Sequence, residues 1–249
     1  MTTAYMLAAG AGSRLDPDHE APPKVLLRFG GRSLLQRHVE ILRHFDIREL
    51  VMVVGYRADQ IAREVQAIGA EDFVRLVENP NYRDGSLGSL WCLSQEFAAE
   101  VPSVLMDADV LYDHRLMARL LRSRHLNCLL LDREVGEDED PLRVCIRDEQ
   151  IVDFHKQPRA AHDWQGQWIG FIRYSPAMAR LQRDKIRPYI EARNFGVIYE
   201  EPMRDLLVAA PEPFGYEDVS ELPWIEIDFP EDLEEAAQRI FPLLQAPPE

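Results

Sequence analysis

The sequence predicts an α/β fold with three layers, a mainly parallel mixed sheet covered by helices on both faces. Short apolar runs alternate with amphipathic segments at helical spacing through the first half of the chain, the rhythm of strand–helix–strand units. The first apolar run ends in a loop of small residues, the kind of strand end where parallel sheets bind ligands. No Ser/Gly-rich linker or low-complexity block divides the 249 residues, so a single domain over 1–249 is expected.

The elements follow in order. Residues 4–9 read as a buried strand, 33–45 as a helix, 49–54 as a strand, 58–68 as a helix and 73–77 as a strand. Residues 87–98 read as a helix, 103–106 as a strand and 114–123 as a helix. After about Leu129 the rhythm changes: 143–146, 151–155 and 168–173 read as shorter strands, separated by acidic, turn-rich segments such as 136–141. Helices near 177–192 and 200–209 precede a strand at 224–227 and a closing helix over 230–241. Glu231 and Asp232 begin that last helix, where they complement its dipole.

Composition excludes several classes of partner. With 28 Lys and Arg against 43 Asp and Glu the net charge is −15, which argues against nucleic acid and against an anionic membrane surface. No apolar run approaches the ~18 residues of a membrane span, and the N-terminus lacks the basic start and apolar core of a signal peptide. Cys92, Cys128 and Cys145 are scattered without metal-ligand spacing and are expected as structural thiols of a cytoplasmic protein.

The densest chemistry lies in the first 35 residues. Leu7-Ala8-Ala9-Gly10-Ala11-Gly12-Ser13-Arg14 is followed by Pro23-Lys24 and then by Gly30-Gly31. Gly10 and Gly12 can turn successive peptide N–H groups toward one anion, and with no side chain there the backbone can approach phosphate oxygens closely. Arg14 supplies a planar donor fork and Lys24 a mobile point charge, both suited to a polyphosphate. A P-loop is excluded by its spacing, and the dinucleotide fingerprint by Leu15, which stands where its third Gly would be. The plainer alternative is a turn that merely closes the first strand.

Two acidic pairs follow apolar strands. Asp107 and Asp109 come directly after 103–106, and Glu226-Ile227-Asp228 runs through and just past the end of 224–227. Hard oxygen donors at strand ends suit Mg²⁺, which takes one or two protein carboxylates together with phosphate oxygens. A solvated turn is the alternative for an isolated Asp-x-Asp.

The stretch Leu-Ala-Ala-Gly-x-Gly-x-Arg-Leu with the downstream Pro-Lys-x-Leu-Leu resembles the opening of the nucleotidyltransferases with a GT-A-like fold, the sugar-phosphate and phosphocholine nucleotidylyltransferases. The resemblance implies a Rossmann-like α/β/α domain whose glycine loop holds a nucleoside triphosphate, with Arg14 and Lys24 on its phosphates. It implies Mg²⁺ on Asp107 and Asp228, with Asp109 as a third candidate. Residues 1–128 would form the nucleotide-binding half and 129–249 the acceptor-binding half, and a homodimer is compatible with this reading.

Finer features point to the second substrate. The segment from Asn79 through Tyr82 to Ser89 resembles the base-side stretch of the phosphocholine cytidylyltransferase branch, which makes CTP the expected nucleotide and Asn79 and Ser89 its contacts. Asp84-Gly85 stands where that branch has a pair of Asn residues, and a helix cap is the alternative role for Ser89. Lys156 in Phe154-His155-Lys156-Gln157-Pro158 resembles the acceptor-phosphate lysine of sugar nucleotidylyltransferases, a solvated strand-end lysine being the alternative. Gly166-Gln167-Trp168-Ile169-Gly170 resembles a stretch of the branch that activates phosphorylated alcohols and aminophosphonates. Trp168, Tyr199, Glu200, Asp205, Trp224 and Glu226 together would make an aromatic and acidic pocket for an ammonium group. Core packing of the two Trp and solvation of the acids is the alternative.

The expected function is therefore Mg²⁺-dependent transfer of CMP from CTP to a small phosphorylated or phosphonate alcohol or amine, such as phosphocholine or 2-aminoethylphosphonate. A sugar-1-phosphate nucleotidylyltransferase and a non-catalytic nucleotide-sensing domain are the alternatives. Nucleophilic catalysis has little support, since no Gly-x-Ser-x-Gly elbow and no His-Glu-x-x-His pair occurs. His38, His44, His114 and His125 are expected on helix surfaces or at caps.

Overall fold

A computed structural model describes residues 2–18, 20–98, 100–134, 141–210 and 212–247. The acidic segment expected at 136–141 lies outside these, apart from Pro141. The elements are β1 (Thr2–Ala8), β2 (Arg28–Phe29), β3 (Arg32–Ser33), α1 (Leu34–His44), β4 (Ile47–Val54), α2 (Ala58–Ala67), β5 (Val74–Glu78), α3 (Ser86–Ser94), β6 (Ser103–Asp107), β7 (Val110–Tyr112) and α4 (His114–Arg122). There follow β8 (Cys128–Asp132), β9 (Arg143–Arg147), β10 (Gln150–His155), β11 (Trp164–Tyr174), α5 (Pro176–Glu191), α6 (Glu200–Ala209), β12 (Gly215–Asp218), β13 (Trp224–Glu226) and α7 (Pro230–Glu235).

The main sheet runs β10-β9-β11-β6-β1-β4-β5, with β8 paired to β11 and β12 to β8. The half made by β5, β4, β1 and β6 is parallel, as the alternation of strands and helices predicts. The other half is built around β11, antiparallel to β6, β8 and β9.

Side chains on successive strand residues point to opposite faces, and the two cores follow that period. Ala4, Met6, Leu50, Met52, Val104 and Met106 pack one face with Leu35, Val39 and Leu42 of α1, Ile61 of α2 and Leu116 of α4. Tyr5, Val51, Val53 and Leu105 pack the other with Leu87 and Leu90 of α3, Met178 and Ile186 of α5 and Met203 and Leu206 of α6. This is the three-layer α/β/α fold.

Three departures from the predicted elements have physical causes. Cys128–Asp132 is a further strand, buried at every residue; an apolar run buried on both faces has no period to betray it. Strand β11 begins at Trp164, ahead of the predicted 168, because polar Gln165 and Gln167 alternate along it. The closing helix keeps α-helical winding only to Glu235 and then widens over Ala236–Ile240, bringing the Phe241 ring against Gly30 and beneath the Arg37 guanidinium at 4.8 Å.

Among the histidines, His44 is exposed as expected, but His38 is 1% exposed and faces the core from α1. Its place in the helix, between Leu35 and Leu42, puts it on the apolar stripe. His114, at the start of α4, is also buried.

Candidate active site

The carboxyl ends of β1 and β6 open into one cleft of about 510 Å³. From the first strand and its loop come Leu7, Ala8, Ala9, Gly10, Gly12, Ser13 and Arg14, joined by Lys24. Of the two glycines, Gly12 takes left-handed backbone at φ 65, and its carbonyl accepts the amides of Leu15 and Asp16 at 3.0 Å. A side chain there would press on Lys24, with Cγ 3.3 Å from an added Cβ, so the bare loop and the lysine are fitted to each other.

Lys24 follows a proline and lies in a single turn of 3₁₀ helix, which directs it into the cleft. Its ammonium donates to Asp109 at 2.9 Å and to Asp228 at 2.6 Å. Burial alone would lower its pKa, but the carboxylates of Asp109 and Asp228 outweigh burial and hold it above its usual range. Arg14 pairs with the other oxygen of Asp228 at 2.8 Å and lies 5.4 Å above the Phe229 ring.

Asp109, Glu226 and Asp228 are brought together by strand pairing. β13 runs antiparallel to β7 with Glu226 opposite Val110, and the amide of Ile227 donates to the carbonyl of Asp109 at 3.0 Å. The Asp232 carboxylate accepts the amides of Asp228 and Phe229 at 2.7 and 2.6 Å, which fixes the turn that presents Asp228. One carboxylate oxygen from each of Asp109, Glu226 and Asp228 lies within 4.8 Å of the others. Burial, reinforced by Asp109 and Asp228, pushes Glu226 up to about 8. A cluster that gathers an ammonium and raises a carboxyl in this way is short of positive charge, and its hard oxygens fit a divalent cation such as Mg²⁺.

Asp107 stands beside that cluster in a different setting. The Tyr199 hydroxyl is 2.8 Å from both of its carboxylate oxygens, and Gly170 (φ 88) packs against Oδ2, where an added Cβ would sit at 2.8 Å. Burial raises the Asp107 carboxyl well above its usual range, and Asp109 and Glu226 add to the effect. Burial and the Asp107 charge likewise raise the Tyr199 phenol. The three-carboxylate grouping therefore contains Asp109, Glu226 and Asp228, with Asp107 tied to Tyr199 at its edge.

The opposite wall carries Lys156, Ile198, Tyr199 and Glu200. Burial pushes Glu200 up to about 7, and its Oε2 is buried with no hydrogen-bond partner. Lys156 lies within a tightly made turn: buried Asp153 accepts the amides of Phe154, Arg159 and Ala160 and the Arg204 side chain, at 2.7–3.1 Å. Burial opposes ionisation of that carboxyl, but these four donors prevail and hold it down to about 2.

Other sequence candidates fall behind the cleft wall. Trp168 is buried against Tyr199 (ring centroids 6.1 Å) and Phe154 (5.4 Å), and supports the wall from outside. Trp224 donates its indole N–H to Asp132 at 2.8 Å, and Asp205 accepts the Tyr189 hydroxyl at 2.7 Å; neither lines the cleft. Asn79 is buried and donates to Ser89 at 3.1 Å, so Ser89 reaches the cleft while Asn79 orients it. Ala11 is outside the lining residues.

Tyr82, Gly85 and Ser86 belong to the base-side stretch but are not among its expected contacts, and they also line the cleft. Ser86 accepts the Tyr199 amide at 3.1 Å, joining α3 to the segment before α6. The signal was available in Asp84-Gly85-Ser86, where Gly85 (φ 130) begins a helix at the sheet's ligand-binding edge.

Comparison with known proteins shows the family and the fold. The family profile described as "MobA-like NTP transferase domain" matches residues 4–162. CTP:phosphoglutamine cytidylyltransferase from Campylobacter jejuni is 23% identical over 93% of this chain and 97% of its own length. Choline-phosphate cytidylyltransferase from Streptococcus pneumoniae is 32% identical over 50% of this chain and 52% of its own. The CMP-5'-(3-aminopropyl)phosphonate synthase of Streptomyces rubellomurinus is 24% identical over 96% of this chain, which spans 39% of that protein. Among solved structures, CTP:phosphocholine cytidylyltransferase from S. pneumoniae superposes with a TM-score of 0.74 at 22% identity, covering 95% of this chain and 98% of the other. The inositol-1-phosphate CTP transferase from T. maritima gives a TM-score of 0.73 at 21% identity, covering 98% and 94%.

Proposed function

This chain belongs to the MobA-like NTP transferase domain family, and from that premise we propose that it transfers CMP from CTP to a small acceptor bearing both a phosphate or phosphonate and an amine. One observation carries the reading: a single cleft is lined by the cations Arg14, Lys24 and Lys156, by the three-carboxylate cluster and by Glu200, whose buried Oε2 has no hydrogen-bond partner. The relatives named for cytidylyl transfer to phosphoglutamine, choline phosphate and an aminopropylphosphonate support the nucleotide and the acceptor class.

In this mechanism the glycine loop presents its amides to the triphosphate, and Arg14 and Lys24 neutralise charge as it moves to the leaving group. An oxygen of the acceptor phosphate or phosphonate forms a bond to the α-phosphorus; the bond from that phosphorus to the bridging oxygen breaks, and the electron pair leaves with pyrophosphate. Lys156 holds the attacking group, which is already ionised, so no base is needed to create the nucleophile. The Glu200 carboxyl pairs as a carboxylate with the acceptor ammonium, any proton it carried passing to solvent as the acceptor enters, and the ammonium supplies the partner its Oε2 lacks. Mg²⁺ bound by Asp109, Glu226 and Asp228 would stabilise charge on the phosphate oxygens. Residues 1–128 serve the nucleotide and 129–249 contribute the acceptor wall.

The test is pyrophosphate release from CTP, UTP, GTP and ATP, each offered phosphocholine, 2-aminoethylphosphonate and a sugar 1-phosphate. Turnover with CTP and an amine-bearing acceptor is expected. Turnover confined to the sugar 1-phosphate overturns the acceptor assignment, and preference for another nucleotide overturns the base assignment.

A further inference from the structure

His38 is part of no cleft wall, yet it is bonded to the acidic segment that forms one. Its ring is 1% exposed beneath the β6–β7 connection, and Nε2 lies 3.1 Å from the carbonyl oxygen of Ala108, the residue between Asp107 and Asp109. A carbonyl only accepts, so the proton of a neutral imidazole must be on Nε2, leaving Nδ1 as a bare nitrogen. That Nδ1 is buried with no hydrogen-bond partner. An apolar side chain of similar volume would fill the place without leaving a buried lone pair, so what the imidazole adds is its donor to Ala108.

The ring has a second contact that leads to the same cluster. It stacks on Tyr112 with centroids 5.5 Å apart and planes 25° from parallel. Tyr112 lies in β7, opposite Trp224 of β13, the strand that carries Glu226 and leads into Asp228. Tyr112 is itself wedged against Phe171 of β11 at 4.7 Å. The imidazole thus fixes the backbone on one side of Asp109 through a hydrogen bond, while the Ile227 amide fixes Asp109's own carbonyl from the other side. One helix residue thus touches the β6–β7 connection at Ala108 and β7 at Tyr112.

We propose that His38 is a positioning residue for the Asp109–Glu226–Asp228 cluster, holding Asp109 at the separation a divalent cation requires through its Nε2–H bond to Ala108. The inference rests on the functional reading only in taking the cluster as a cation site. Partners of this kind, bonded to a metal site's supports and not to the metal, typically change affinity or activity by about 10–100-fold when lost.

Two variants separate the hydrogen bond from the ring. His38→Phe keeps a ring for Tyr112 and removes the donor; His38→Gln loses the ring and carries an amide N–H of similar reach. Mn²⁺ binding without nucleotide, read by the electron paramagnetic resonance of the free ion, should weaken by about tenfold or more in His38→Phe, with His38→Gln recovering most of the loss. Unchanged Mn²⁺ binding in folded His38→Phe overturns the proposal, as does a loss in His38→Gln as large as or larger than that in His38→Phe, since the variant that restores the donor would then recover nothing. Should His38→Phe fail to fold, ¹⁵N spectra of the wild-type imidazole decide the matter: Nε2–H with a bare Nδ1 is expected, and a proton on Nδ1 overturns it. Neither measurement involves CTP or an acceptor, so a failure of the functional assignment would appear separately, in the turnover panel.

Discussion

The Lys24 ammonium lies 2.6 Å from the Asp228 carboxylate, 204 residues away in the chain, and 2.9 Å from Asp109. It therefore occupies, with its own charge, two of the three carboxylates that suit a divalent cation. Entry of a divalent cation is expected to be linked to release of Lys24 toward a phosphate, because both cations would draw on the same oxygens. Lys24→Met is expected to lower kcat/KM by about 10²–10³-fold, the scale of losing one preorganised charge donor. The same variant should bind Mn²⁺ more tightly than wild type without nucleotide. Calorimetric titration checks this, and weaker binding would refute the linkage.

Tyr199 reaches Asp107 with its hydroxyl and leans on Trp168 with its ring. Tyr199→Phe keeps the ring contact and leaves the buried carboxyl without this donor. Stability is expected to fall by ~1–2 kcal/mol, measured by urea unfolding. Turnover should fall about tenfold more than KM for CTP changes if the bond orients Asp107 for the reaction.

Gly170 is compelled by two constraints at once, a φ of 88 and the Asp107 oxygen 2.8 Å from where a Cβ would be. Gly170→Ala is expected to cost ~1–2 kcal/mol for the backbone alone. It should also displace Asp107, so activity should fall further than in an alanine variant at Gly31, where φ is 83 but no atom lies within 4 Å.

The Asp153 carboxyl titrates near 2 in the folded protein, below its ordinary value of 3.8. A carboxyl depressed by folding contributes stability that is complete above the unfolded value and is lost as pH falls through the folded one. Asp153→Asn should therefore be less stable than wild type at pH 6, and the gap should narrow between pH 4 and 2. Melting temperatures across that range test the sign; a gap that widens on acidification would contradict it. The turn carrying Lys156 hangs on the same carboxylate, so KM for the acceptor should rise in this variant at neutral pH.

Glu200→Gln preserves shape and removes the negative charge the buried carboxyl can carry. KM for an amine-bearing acceptor is expected to rise about tenfold or more, as for loss of a charge-assisted bond, with KM for CTP within about twofold of wild type. Equal changes in both constants would remove Glu200 from the acceptor site.

How much of this was legible in sequence depends on the range of each interaction. Elements with a clear period, such as α1 and β4, read within one or two residues of their observed ends, because an amphipathic face repeats every few residues. Strand β8 was missed because residues buried on both faces carry no alternation. His38 was misplaced as a surface residue because a polar side chain on an apolar helix face announces a contact without naming its partner. Trp168 and Trp224 looked equivalent as aromatic candidates; one braces the wall and the other bonds Asp132, a distinction set by packing alone.

The residue types around Gly10, Arg14 and Lys24, and the two acidic pairs near the ends of apolar strands, pointed by themselves to the reaction class and to the expectation of a hard divalent cation. Loop geometry and charge are local properties, and a strand end in a parallel sheet is where both become accessible. Tertiary structure decided that Asp109 joins Glu226 and Asp228, that Asp107 goes to Tyr199, and that one oxygen of Glu200 is buried at the cleft without a hydrogen bond. Those outcomes depend on the pairing of β7 with β13 and on the approach of α6, contacts between distant segments that no local periodicity encodes.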